Sequence, residues 1–273
     1  QKGMLMPHSF LDEKARILRG QILDQITAFG NGHLASAYSC LEILLALYYG
    51  GMRIDPEQPD WSDRDRLILS KGHGCSALYA ILSDLKYFPS EYLIANQNGN
   101  ILGGHPDREK IPGVEWSCGA LGHGLAIGIG MALAAKHNHS GQRIFVLLGD
   151  GELQEGSVWE AVLFAGHHRL NNLVALVDYN RHQSSGAIKD VLDLDPLDLK
   201  FASFCWEVRS ESGHDITTLQ NTLQNLEGKG PAVLLCATEK GYGVNLFMQD
   251  PVWHTQVPSR EETFLAKQEL GLL

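Results

Sequence analysis

With 273 residues, the chain is long enough to bury a sizeable core and to form one large domain. Its 44% hydrophobic and 20% charged residues are ordinary for a globular protein, and its formal net charge of −10 argues against nucleic acid or an anionic membrane surface as partner. A phosphorylated substrate stays open, because local charge can oppose the net.

No apolar run reaches membrane-spanning length, and no secretory signal is read. Gln1-Lys2-Gly3 reads as a non-native leader ahead of Met4. Cys40, Cys75, Cys118, Cys205 and Cys236 are far apart, with no CxxC pair. They read as reduced thiols of a cytoplasmic protein, not as a disulfide framework or zinc site.

Residues 10–29 carry Leu11, Ala15, Leu18, Ile22 and Ile26 at three- and four-residue steps, one face of a helix. Gly30-Asn31-Gly32 ends it, and a second helix is expected to about residue 49. His33 lies at the turn between them and by itself reads as a solvated turn histidine. A polar connection at 56–65 leads to a strand at 66–70 and a helix at 76–85, with Lys71-Gly72-His73-Gly74 between them. A loop-rich stretch then carries Gly103-Gly104-His105-Pro106-Asp107. Three histidines thus fall in or beside glycine turns at predicted element ends.

The segment from Ser117 opens a Gly- and Ala-rich helix running to about residue 137. Each glycine costs a helix roughly 1 kcal/mol relative to alanine, so Gly124 and Gly128 imply a close backbone approach. Packing on the chain's own sheet and contact with another subunit both satisfy that.

Ile144 to Leu148 and Leu173 to Val177 are short apolar runs of the kind buried in parallel sheets. Between them come Gly149-Asp150-Gly151-Glu152, then Val158, Ala161, Val162 and Ala165 at helical spacing. The unit is strand, glycine turn, helix, strand. Asp150 and Asn180 fall at the carboxyl ends of its two strands, where open α/β sheets bind ligands. A carboxylate and an amide oxygen are hard donors that suit Mg²⁺ or Ca²⁺. Gly151 lets the backbone come close, and the adjoining helix start attracts anions. A divalent cation beside a bound diphosphate follows, although no GxxxxGK[ST] loop is present.

A polar loop is expected over 181–195, helices at 197–204 and 216–226, strands at 206–210 and 232–238, and an amphipathic helix from about residue 259. This alternation predicts a single α/β domain over 1–273, a doubly wound, mainly parallel sheet with helices on both faces.

Gly149-Asp150-Gly151 with Asn180 some thirty positions on resembles the metal and diphosphate motif of thiamine-diphosphate enzymes. Its longer form, GDGELQEGSVWEA then VDYNRHQSSG, together with GHLASAYS, LSKGHG and GGHPD, resembles the transketolase family, in family order. The resemblance implies the thiamine-diphosphate-binding fold and a set of roles. His73 and His254 would reach the diphosphate. His33 and His105 would stand at the substrate channel, forming with His254 and Glu155 the catalytic set. Gly119 and Leu121 would line the pyrimidine and thiazolium region, with Gly151, Glu152 and Asn180 also binding cofactor. Asp150, Asn180 and the backbone carbonyl of His182 would hold the metal, leaving the His182 side chain in solvent. The glycines of the Gly- and Ala-rich helix would face another subunit. Glu155 and Glu160 match family carboxylates near a subunit contact, and an ordinary helix carboxylate is the other reading for each. Where the family usually has Pro this chain has Ala120, and where it often has Gln this chain has His123.

The resemblance covers this chain but only the first third to half of the family. The domain whose glutamate activates the aminopyrimidine ring is missing, while Leu273 closes the chain without a broken element. The resemblance therefore implies the N-terminal subunit of a split transketolase. It would move a two-carbon ketol unit from a ketose phosphate to an aldose phosphate, using thiamine diphosphate and Mg²⁺ or Ca²⁺. It would need a second subunit with the pyrimidine-binding and C-terminal domains, in two copies of each chain. The alternatives are a subunit of a deoxyxylulose-phosphate-synthase-like enzyme and a non-catalytic, cofactor-binding regulatory subunit.

Overall fold

The computed structural model describes residues 8–94, 101–248 and 251–273. The expected leader at residues 1–3 lies outside them. Five parallel strands form the central sheet: β1 (Arg66–Leu69), β2 (Ile144–Gly149), β3 (Leu173–Tyr179), β6 (Glu207–Ser212) and β7 (Ala232–Ala237), in the order β1-β2-β3-β7-β6. The two-residue strands β4 (His182–Gln183) and β5 (Gly186–Ala187) pair antiparallel beside it.

Side chains alternate across the sheet and feed two separate cores. Leu67, Leu69, Phe145, Leu147, Val174, Leu176, Leu234 and Cys236 point to one face. There they pack with α1 (His8–Phe29), α2 (Leu34–Ser39), α3 (Leu41–Ala46), α4 (Cys75–Asp84) and α9 (Ile216–Gln224). Ile68, Val146, Leu148, Ala175, Val177 and Val233 point the other way, against α5 (Gly124–His137), α6 (Gly156–His167) and α8 (Leu197–Ser203). Both faces of a strand such as β3 are covered, which is why its sequence is a continuous apolar run. The doubly wound α/β expectation holds.

Two local expectations need correction. The helix expected through residue 49 is two short helices, broken at Cys40 (φ −103°, ψ 7°) and closed by a wider turn over Leu47–Gly51. Every residue from 34 to 46 is buried, so the sequence shows no amphipathic phase to betray the break. The polar loop expected over 181–195 instead contains the β4–β5 pair and a helical turn, α7 (Ile188–Val191). It folds because Ile188 is buried and its N–H donates to the Arg181 carbonyl at 2.9 Å.

The glycines of α5 face inward. A Cβ on Gly124 would lie 2.3 Å from Ser70 Oγ, and one on Gly128 would lie 2.6 Å from Val146 Cγ2. They allow α5 to pack on its own sheet, which corrects the subunit contact that the resemblance implied for Gly124 and Gly128. The other side of α5 and α6 exposes Leu133, Leu163 and Phe164. The last helices are α10 (Asn245–Met248) and α11 (Arg260–Glu269), the latter opened by the Ser259–Glu262 capping box.

Candidate active site

The carboxyl ends of β1, β2, β3 and β7 meet in one place. β1 runs into Ser70, Lys71 and His73; β2 into Asp150, Gly151 and Glu152; β3 into Asn180 and His182; β7 into Thr238 and Lys240. The turns before α2 and after α10 add His33 and His254. The loop at Gly103 to His105 and the turn at Gly119 to Gly122 complete the rim. Together they enclose a cavity of about 380 Å³. Its lining includes His33, His73, His105, His254, Gly119, Leu121, Gly151, Glu152, Glu155, Asn180, Asp150 and His182, every residue that the sequence marked for the site. Glu160 lies outside it, exposed on α6.

Four imidazoles form the inner wall. The His33 ring lies 5.5 Å from that of His73, 6.0 Å from His105 and 5.3 Å from His254. His33 is therefore half-buried at the centre of the cluster, not a solvated turn residue. Burial and the neighbouring His105 lower its pKa, and Lys240 and Lys71 add to the effect. Burial, then Lys71, pushes His73 down to about 2. Burial, then Lys240, pushes His254 down to about 4. All three stay neutral near pH 7 and can donate or accept a proton at fixed ring nitrogens. His33 Nδ1 is buried and has no hydrogen-bond partner among the described residues.

Two cations add a positive field. Lys71 is fully buried, and its ammonium donates to the Asp178 carboxylate and, at 3.3 Å, to the Ser36 carbonyl. Burial alone would lower the Lys71 pKa, but Asp178 outweighs it and holds the pKa up. Among the described residues no carboxylate pairs directly with Lys240; burial, then repulsion from Lys71, outweighs the more distant Asp150 and Asp178 and brings it down to about 8. Desolvated ammonium and neutral imidazole groups around one space favour an anion.

Asp178 organises the floor. It accepts hydrogen bonds from Ser39 Oγ at 2.7 Å, from Thr238 and from Lys71. The Asn180 amide donates to Ser39 Oγ at 3.1 Å, so its oxygen turns the other way and accepts the His182 N–H at 3.0 Å. Asp150 is 3% exposed and, among the described residues, accepts two backbone N–H groups, from Gly151 at 2.8 Å and Arg181 at 2.5 Å. Burial, then repulsion from Asp178, raises its pKa to about 7. Its position beside the Asn180 oxygen suits a hard divalent cation.

Among the described residues, no cluster of three or more His, Cys, Asp or Glu side chains surrounds a common metal position. The candidate donors here are instead one carboxylate, one amide oxygen and the His182 carbonyl. The His182 side chain is exposed, its Nδ1 2.9 Å from the Asn180 carbonyl.

Glu152 lines the cavity while serving as a brace. Its carboxylate accepts from Ser70 Oγ, from Gly122 N–H at 2.9 Å and from Gly149 N–H at 3.2 Å, tying three cavity loops together. Gly122 has φ +83°, and a Cβ there would lie 2.8 Å from the Glu155 Cβ, so only glycine fits that turn. Glu155 is exposed at the cavity rim, where α6 begins.

Sequence reasoning gave no role to Lys71, Asp178, Ser36 or Lys240. A signal existed for Asp178: an acid ending a strand buried on both faces calls for a buried counter-ion. Lys71 stands inside the quoted LSKGHG motif and Lys240 just past the last predicted strand, but only the fold turns both ammonium groups inward.

Such a sheet, with a cavity lined by histidines, Lys71, Lys240, Asp150 and Asn180 at its carboxyl edge, matches one class: the thiamine-diphosphate-binding domain. The family model for the transketolase thiamine diphosphate binding domain matches residues 12–273, and the chain belongs to the transketolase family. It is 41% identical over 263 residues to an apulose-4-phosphate transketolase subunit of Actinobacillus succinogenes, covering 95% of each chain. It is 38% identical over 266 residues to a 6-deoxy-6-sulfo-D-fructose transketolase subunit of Clostridium sp. (strain MSTE9), covering 92% of this chain and 96% of that one. The crystal structure of Campylobacter jejuni transketolase superposes with a TM-score of 0.89 at 30% identity, over 97% of this chain and 43% of that one. The chain therefore spans less than half the length of that transketolase.

Proposed function

We propose that this chain is the diphosphate-binding subunit of a two-chain transketolase. It would move a two-carbon ketol unit from a ketose phosphate to an aldose phosphate. The observation that carries the reading is the single cavity in which four histidines and two lysines face Asp150 and Asn180. Relatives of matching length are named as transketolase subunits, and a whole transketolase has a further portion that this chain does not supply.

When bound, thiamine diphosphate supplies the nucleophilic carbon that cleaves the ketose. The chain's own residues bind, orient and move protons. Asp150, Asn180 and the His182 carbonyl would hold Mg²⁺, with Ca²⁺ a chemically equivalent occupant. His73, Lys240 and the Gly151 amide would receive the diphosphate, while Gly119 and Leu121 would support the rings. His33 and His105, with His254 beside them, would hand protons to and from the sugar hydroxyls at neutral pH.

The partner subunit would supply the pyrimidine-binding and C-terminal domains. Its natural seat is the apolar face of α5 and α6, where Leu133, Leu163 and Phe164 are exposed beside Glu155 and Glu160. Two copies of each chain would give the closed symmetry common among oligomers. A reducing, cytoplasmic setting fits the five free thiols.

Reconstitution tests the reading. The purified chain, given Mg²⁺ and thiamine diphosphate, should show no ketol transfer until the candidate partner is added. Turnover by the chain alone would refute the two-chain assignment. Failure even with a folded partner would favour a regulatory, cofactor-binding role. Turnover with pyruvate but not with ketoses as donor would favour a deoxyxylulose-phosphate-synthase-like enzyme.

A further inference from the structure

Lys240 reaches the cavity from the short turn Glu239 to Tyr242, which follows β7. That turn is gripped at both ends by a buried group of side chains outside the cavity. Arg19 of α1 and Glu42 of α3 form an ion pair at 2.6 Å, with side-chain exposures of 5% and 4%. Arg19 Nε also donates to the Tyr242 carbonyl at 2.8 Å. The second Glu42 oxygen lies 3.0 Å from His214 Nδ1, and the Glu239 N–H donates to His214 Nε2 at 2.8 Å. The His214 ring stacks on the Tyr242 ring, with centroids 3.6 Å apart and planes 14° apart.

These partners define the state of His214. A backbone N–H can only donate, so Nε2 must accept, and Nδ1 must carry the hydrogen given to Glu42. A neutral imidazole in one tautomer thus joins a buried carboxylate to the backbone just before Lys240. The glycines around the turn confirm how closely it is held. A Cβ on Gly241 (φ +80°) would lie 2.2 Å from the Phe247 carbonyl oxygen, and one on Gly243 (φ +95°) would lie 2.6 Å from Arg19 Nε.

The Lys240 ammonium is pressed into a cavity that already holds Lys71, and burial with that repulsion favours its withdrawal to water. A turn held only by its own backbone could relax and carry the ammonium away.

We propose that His214 is the positioning residue for Lys240, and that the Arg19–Glu42–His214 clamp thereby sets the affinity of the cavity for a diphosphate. This rests on the reading of the cavity as a diphosphate site.

A double-mutant cycle tests it, using calorimetry of inorganic pyrophosphate with Mg²⁺ on the full chain. His214→Phe keeps the stacking surface and loses both hydrogen bonds. It should weaken pyrophosphate on the order of tenfold, the size of a lost charge-assisted hydrogen bond. In a Lys240→Met background it should cause no further loss, because its effect passes through Lys240. His214→Gln offers both a donor and an acceptor and should restore most of the affinity. If His214→Phe does not fold, His214→Asn, whose shorter amide spans one contact at most, takes its place in the cycle. Equal weakening in both backgrounds, or none in either, would overturn the positioning role. Absence of pyrophosphate binding by the unmodified chain would overturn the diphosphate reading and this inference with it.

Discussion

Asp65, just before β1, and Asp150, just after β2, are buried carboxylates at opposite ends of the same sheet, 0% and 3% exposed. Asp65 faces two guanidinium groups. It accepts the Arg53 N–H at 2.9 Å and its NH2 group at 3.1 Å, then the Arg143 N–H at 2.9 Å and its NH2 group at 2.9 Å. Among the described residues Asp150 has backbone N–H groups as its donors, and burial with the nearby Asp178 raises its pKa to about 7. The amino end of the sheet brings its own counter-charges and needs nothing further. The carboxyl end buries Asp150, Glu152 and Asp178 with Lys71, and half-buries Lys240, His33, His73 and His254, in an arrangement that an incoming cation and anion would complete.

The sharpest way to break this contrast is at Asp150. Asp150→Ala or Asn180→Ala should abolish Mg²⁺-dependent thiamine diphosphate binding in the assembled enzyme while leaving the fold intact. Unchanged calorimetric affinity in both variants would show that the corner is not the metal site.

A second test separates the histidines. His33→Ala or His105→Ala should cut kcat/KM for the ketose donor by roughly 10²–10⁴-fold, the range for losing a positioned proton-transfer group. Cofactor affinity should change less. His73→Ala should instead weaken the cofactor. Equal loss of cofactor affinity in all three would cancel the division of roles.

At the other end of the sheet, Asp65→Ala should cost about 3 kcal/mol of stability, since it leaves two backbone donors unpaired and takes the carboxylate from two guanidinium groups that keep only carbonyl acceptors. Denaturant unfolding measures this, and a change under about 0.5 kcal/mol, as at an ordinary surface site, would remove the contrast.

A last test is a pH slope. His73 and His254 have folded pKa values of about 2 and about 4, below the unfolded value of about 6.5. Between pH 6.5 and 4 the unfolded chain binds more protons at these sites, so their contribution to stability falls as pH falls. The melting temperature of the free chain should therefore drop on acidification, and drop less in a His73→Asn, His254→Asn double variant. Parallel pH profiles would show that these rings are not held neutral by the fold.

Much of this was legible in the sequence. The continuous apolar runs at Leu173 to Val177 and Ile144 to Leu148 announced strands buried on both faces, because a parallel sheet covered by helices leaves no wet side. Glycine punctuation beside His33, His73, His105 and Asp150 marked the loop ends, and motif order supplied the family. The break at Cys40 stayed hidden because a wholly buried helix has no polar phase to lose. The folded segment after Arg181 stayed hidden because its few apolar anchors, such as Ile188, are spaced by chance-like intervals.

What the sequence by itself determined was the alternation of elements and the identity of groups at the ends of strands. Local spacing governs both. Only the tertiary structure decided which charges meet. Lys71 and Asp178 stand 107 positions apart and Glu42 and His214 stand 172 apart. Pairing at such distances depends on how the strands are ordered and how far each turn is pressed inward, and no periodicity in the chain encodes it.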